Sequence, residues 1–246
     1  MEDQIYLPLL DKDNKDIEAH IEQSITNKIR KGFIWKVYSI LLYQITLTAL
    51  MVFISMNVQS IKNFILTDYI IYICVIITTL LCVLLPICAP DIYRKVPLNY
   101  VLLTVFTFGI GYLVSIAIIN TKNTSNVIVS FVLTFITVST LTIYAWKSDK
   151  DFTLYGGILV VFLILLVFGS LIMLFFPVTL VSIIITICSL LLFAGYVLYD
   201  TQLIIGNKSN KFTEEDYILA AMNLYLDIIN IFLEILKLLE LIRGNN

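Results

Sequence analysis

Apolar residues in this chain run in long unbroken stretches, and polar residues gather in the short gaps between them. The stretches fall at residues 33–56, 69–89, 98–119, 126–146, 153–175, 178–199 and 217–240. A helix rises about 1.5 Å per residue, so about 20 residues cross a hydrocarbon core about 30 Å thick. Gaps such as "PDIYRKVP", "NTKNTS" and "KSDKD" are short and hold the charges and turn formers. The pattern predicts an all-α integral membrane protein. It has a polar arm over residues 1–32 and one multi-spanning domain over 33–246, folded as a bundle of seven transmembrane helices.

Composition strengthens this reading. Of 246 residues, 59% are hydrophobic and 14% charged, where a soluble domain carries roughly 25% charged residues. The lipid bilayer is therefore the first partner. A net charge of −2 provides no basic footprint and excludes nucleic acid as another. The arm is acidic up to Glu22, then basic at Lys28, Arg30 and Lys31. It lacks the basic start and small-residue cleavage site of a signal peptide, so the first span is expected to act as its own anchor.

Charge also sets the expected orientation. Arg94, Lys95, Lys147, Lys150, Lys208 and Lys211 fall in the loops on the arm's side, while the alternate loops hold only Lys62 and Lys122. The bias of Lys and Arg predicts a cytosolic N-terminus. Lys237 and Arg243, near the end, oppose a seventh full crossing. They leave open a last segment that enters and returns, a form tolerated only when buried in protein or lining water.

Two carboxylates interrupt the apolar pattern: Asp200 in "FAGYVLYDTQLIIG" and Asp227 in "NLYLDIINIFLEIL". In the last segment Asn223, Asp227, Asn230, Glu234 and Lys237 are spaced four, three, four and three apart. That spacing places them on one helix face, which is expected to point into the bundle as a pore-lining polar face. Ile228, Ile229, Phe232 and Leu236 lie opposite, free to meet lipid or other helices. The competing reading is an interfacial helix with its polar side to water, but this stripe carries acids and amides rather than a basic face. Asp200 sits at the expected end of the sixth span, where a carboxylate opposes the helix dipole. Capping alone therefore explains it poorly, and pairing with Asp227 is favoured.

Two carboxylates a few ångströms apart in a low dielectric cannot both ionise cheaply. They would titrate as one unit, and their oxygens suit a hard cation such as calcium. Protons and calcium would then compete for one site. Cys74, Cys82, Cys88 and Cys188 lack metal-ligand spacing and read as small core residues. His20 stands alone in the arm.

Both aspartate segments resemble the signature of the transmembrane Bax inhibitor motif, or Lifeguard, family. "IWKVYSILLYQITLTA", "RKVPLNYVLLTVFTFGIGYLVS" and "SDKDFTLYGGIL" resemble it too, in the same order along nearly all of the chain from residue 33. The likeness is nearest to the Golgi anti-apoptotic branch, with its viral relatives. The resemblance implies a pH-sensitive calcium leak of intracellular stores, in Golgi or endoplasmic reticulum, that lowers store calcium and inhibits apoptosis. It implies a gating pair at Asp200 and Asp227 in contact with calcium, and a latch at Arg94. Calcium would be the transported ion, with no cofactor bound permanently. Partners left open are a second copy of the chain, calcium-release channels and other cell-death regulators. A non-conducting adaptor is the alternative function. An intramembrane aspartyl protease is a remote one: Tyr199-Asp200 fits, but "LYLD" lacks the glycines needed before Asp227, and no "PAL" follows. No enzymatic activity is expected.

Overall fold

The computed structural model describes residues 3–121 and 123–243, with side chains from His20 onward except Ile87. Lys122 lies outside the described residues. The chain forms α1 (Asp3–Asn57), α2 (Gln59–Thr67), α3 (Tyr69–Cys88), α4 (Leu98–Ile119), α5 (Thr124–Lys147), α6 (Gly156–Phe175), α7 (Thr179–Ile205) and α8 (Tyr217–Arg243). Short 3-10 turns at Pro90–Arg94 and Phe152–Tyr155 lead into α4 and α6. All but α2 are long and apolar enough to cross a membrane, which gives seven spans. Among the described residues there is no strand.

Local chemistry explains the boundaries. Asn123 caps α5, its side-chain oxygen accepting from the Ser125 amide at 2.9 Å, as an N-cap asparagine does. The expected loop after the first span contains a short amphipathic helix, α2, whose Ile65 turns inward. The sixth span runs to Ile205 rather than stopping at 199, because Asp200, Thr201 and Gln202 are all buried and continue the helix. It ends at Gly206 with φ 72°, a left-handed conformation that glycine adopts without strain. The last segment is one unbroken helix of 27 residues, roughly 40 Å at 1.5 Å per residue. That length suits a full crossing, and the helix has no break at which a segment that enters and returns would turn.

α8 occupies the centre, packed against α7, α5, α1 and α4. Ile218, Ala220, Ala221, Tyr225 and Ile231 on it are completely buried. Ile229, Phe232 and Leu236 are buried as well, so of the two surroundings open to that side, lipid or other helices, it meets other helices. A helix surrounded by neighbours has no lipid face to offer. α6, by contrast, packs along α7 and buries none of its own residues.

Polar groups concentrate inside. Gln44 of α1 donates from Nε2 to Thr107 Oγ1 of α4 at 3.2 Å. The hydroxyls of Thr48 and Tyr225 meet at 2.7 Å. With no water in the hydrocarbon core, such groups must find partners within the bundle. The four cysteines are free; Cys82 is buried, while Cys74, Cys88 and Cys188 are exposed on the outside of the bundle. The expectation that all four pack in the core is corrected accordingly, since lipid accepts a thiol as readily as a protein core does.

Candidate functional site

α7 and α8 lie side by side and bring Asp200 and Asp227 together, 3% and 6% exposed respectively. Their carboxyls face each other within hydrogen-bonding reach. Tyr196 lies close to both, and Tyr199 lies near Asp200. The second carboxyl oxygen of Asp227 has no hydrogen-bond partner. Thr201, next to Asp200, is fully buried and faces Tyr38 of α1. The pair is thus held in the interior by helix packing, with tyrosine and threonine around it rather than a cation.

Arg94 stands elsewhere. It donates from Nε to Asp216 Oδ1 at 2.9 Å and forms an ion pair with the same oxygen through Nη2, also at 2.9 Å, with Glu215 and Asp91 at 4.0 Å. The bond to Asp216 raises its guanidinium above the ordinary value. Asp216 immediately precedes α8 and also accepts from the Thr213 amide at 3.2 Å and from the Thr213 hydroxyl. In this structure Arg94 therefore anchors the loop into α8, and its contacts are with Asp216, Glu215 and Asp91 rather than with Asp200 or Asp227.

A different arginine holds the helix of Asp200. Arg30 of α1 donates from Nε to Ile205 O at 3.1 Å, from Nη2 to Leu203 O and from Nη1 to Phe212 O at 2.7 Å. These carbonyls close the end of α7 and begin the approach to α8, where a cation also complements the dipole. A Cβ on Gly206 would come within 2.4 Å of the Arg30 guanidinium, so the glycine is needed for the close approach as well as for its backbone. From α7, Gln202 ties down the loop between α5 and α6. Its Oε1 accepts from the Phe152 amide at 2.7 Å, while Nε2 donates to Lys150 O at 2.9 Å and Ala145 O at 3.3 Å.

The remaining face of α8 is divided. Asn223 is exposed. Asn230 is half-buried and spends its amide on its own helix, donating to Leu226 O at 2.8 Å. Glu234 is half-buried against Thr186 and Ser189 of α7, with Lys237 nearby. Interior placement therefore holds for Asp227 and partly for Asn230 and Glu234, but not for Asn223.

The chemistry open to the pair follows from its donors. Calcium takes about six to eight oxygens, and among the described residues no group of three or more His, Cys, Asp or Glu gathers to hold a metal. Two carboxyls suit a passing cation that keeps most of its water, and they suit a shared proton. Sequence reasoning missed Arg30 and Gln202 as positioning residues. The signal for Arg30 was indirect: "LIIG" marks a glycine-terminated helix whose carbonyls attract a cation, but nothing in the sequence says which cation arrives.

Comparison with known proteins finds a family and several relatives. The sequence model of Bax1-I, Inhibitor of apoptosis-promoting Bax1, matches residues 30–245. Protein LIFEGUARD 3 of Arabidopsis thaliana is 37% identical over 220 residues, covering 87% of this chain and 86% of its own. The BI1-like protein of the same plant is 35% identical over 227 residues, 89% of this chain and 84% of its own. Protein lifeguard 3 of Homo sapiens is 31% identical over 216 residues, 86% of this chain and 69% of its own.

Proposed function

The chain belongs to the Bax inhibitor family, together with the Lifeguard proteins, and on that footing we propose that it is an anti-apoptotic calcium leak of an internal store, gated by the Asp200–Asp227 pair. The observation that carries this reading is the pair itself: two acids facing each other, buried in the interior of a membrane bundle. Ionisable groups are expensive there and normally mark an ion or proton path. One proton shared between the carboxyls holds α7 and α8 together; its loss leaves two like charges that push the helices apart or draw a cation between them. Calcium and protons then act on the same equilibrium, which makes the leak pH-sensitive. The asymmetry of Lys and Arg supports a cytosolic N-terminus, and residence in Golgi or endoplasmic reticulum belongs to the same reading.

The test is calcium flux from liposomes holding the purified protein, followed from mildly acidic to mildly alkaline pH. Asp200→Asn and Asp227→Asn should each alter the pH profile, and the double variant should add little to either, because groups that act as a unit are not additive. Unchanged profiles in both single variants would reduce the pair to a structural contact. A wild-type protein that passes no calcium yet captures a cell-death regulator would be an adaptor instead.

A further inference from the structure

The seam between α7 and α8 carries a second polar position. Glu234 lies seven residues beyond Asp227, two helical turns and so about 10 Å further along the same face. Thr186 and Ser189 of α7 face its carboxyl; Thr186 is wholly buried and Ser189 is 5% exposed. α5 packs against both helices. It runs antiparallel to α8, with Asn126 near its start accepting from Arg243 at the end of α8. Counting inward from that bond brings the buried Thr134 of α5 to the level of Glu234, with the buried Ser130 about one turn nearer the bond. Glu234 Oε2, Thr186 Oγ1 and Ser130 Oγ are all buried without a hydrogen-bond partner. Unsatisfied oxygens inside a membrane bundle are costly, and each of these is an acceptor for a cation.

We propose that Glu234, with Thr186 and Ser189, is a second cation station, in series with the aspartate pair, for a hard and partly hydrated ion such as calcium. The inference rests on the reading of the chain as a calcium leak. A donor set made only of oxygen suits calcium and disfavours softer metals, which look for thiolate or imidazole. Conduction needs sites an ion can enter and also leave, and a second site lets one ion displace the next. Beyond Glu234, toward the end of α8, lies a cavity of about 450 Å³, lined in part by Ser170, Thr179, Ser182 and Lys237. The Lys237 ammonium, close enough to act on the Glu234 carboxylate, repels a cation and shortens its stay at the station.

Two measurements on the full-length protein decide the matter. In liposomes, Glu234→Gln should lower calcium flux about tenfold, the loss of roughly 1.4 kcal/mol of ion stabilisation, and should lower the preference for calcium over potassium. Glu234→Asp should keep most of both, and the pH profile set by the pair should stay in place. Wild-type calcium flux and preference in Glu234→Gln overturn the proposal. Calorimetric titration with calcium in detergent covers the case in which the wild type does not conduct. The Asp200→Asn, Asp227→Asn double variant should still bind calcium and should lose that binding when Glu234→Gln is added. Binding that is absent from the double variant, or indifferent to Glu234, overturns the station whatever becomes of the leak. Should Glu234→Gln fail to fold, Thr186→Val should give a smaller loss in the same direction, and no loss there overturns the station equally.

Discussion

α6 and α8 show how a membrane reverses the usual meaning of hydrophobicity. α6 is the most apolar of the seven spans and has no buried residue, whereas α8 is the least apolar and is buried over more than half of its apolar stretch. Phe162, Leu165 and Phe168 of α6 point outward, where lipid tails solvate them as well as any protein core. Packing α6 more deeply would gain little from the hydrophobic effect. α8 carries Asp227, Asn230 and Glu234, which lipid rejects, so the other helices gather round it. Between helices in a bilayer the drive comes from close packing and polar contacts, and the polar helix is the one that collects both.

The sharpest way to break this contrast is to cut matching aromatic rings from each helix. Tyr225 of α8 is fully buried, bonded to Thr48 and set edge-on to Phe106, so Tyr225→Ala should cost about 4 kcal/mol. Phe168→Ala on α6 should stay within about 0.5 kcal/mol. Thermal denaturation in detergent compares the two, and equal losses would erase the distinction. The second test adds charge. Leu165→Asp, on the lipid face of α6, should cost about 3 kcal/mol and show as poor membrane insertion, whereas Asp227→Asn should insert normally.

A third test concerns the polar ends that hold the centre. Arg30→Ala removes the guanidinium that three carbonyls share and should cost about 2 kcal/mol, read from the same melting curves. Arg30→Lys should recover only part, because a single ammonium cannot reach all three acceptors. The smallest effect lies at the foot of α6. Asp151 accepts from the Ser209 hydroxyl and amide in the α7–α8 loop. Bonds from Ser209 and Thr153 hold its carboxyl down at about 2, below the unfolded value of about 3.9. Its contribution is therefore full above pH about 4 and fades as pH falls toward 2. The protection of the Ser209 amide against hydrogen exchange, relative to its intrinsic rate at each pH, should fall across that window, and in Asp151→Asn it should be low throughout.

Much of the architecture was legible because spanning length is a physical constant of the bilayer. Residues 98–119 coincide with α4 as expected, and the other spans agree at most ends to within a turn. α7 was cut short at 199 because Asp200, Thr201 and Gln202 look like a boundary when read as a row of polar residues. Inside a bundle that row is the reason for the helix to continue. The two aspartates were legible for a related cause: a carboxyl that interrupts an apolar run has to be accommodated somewhere. Which arginine answers which acceptor was not legible. Arg94 and Arg30 are both basic residues beside a span, and only the packing of α1 against α7 and α8 sends Arg30 to the end of α7 and leaves Arg94 with Asp216.

Gln202 has a consequence for the order in which the protein assembles. It completes the turn between α5 and α6 from a helix that is made later, holding the Phe152 amide and the Lys150 and Ala145 carbonyls. While the ribosome is still upstream of residue 202, that turn must rely on water for these groups. It reaches its final shape only when α7 has entered and folded back beside it. Nascent chains arrested before Gln202 should therefore expose residues 148–152 to protease, and chains arrested well beyond it should not.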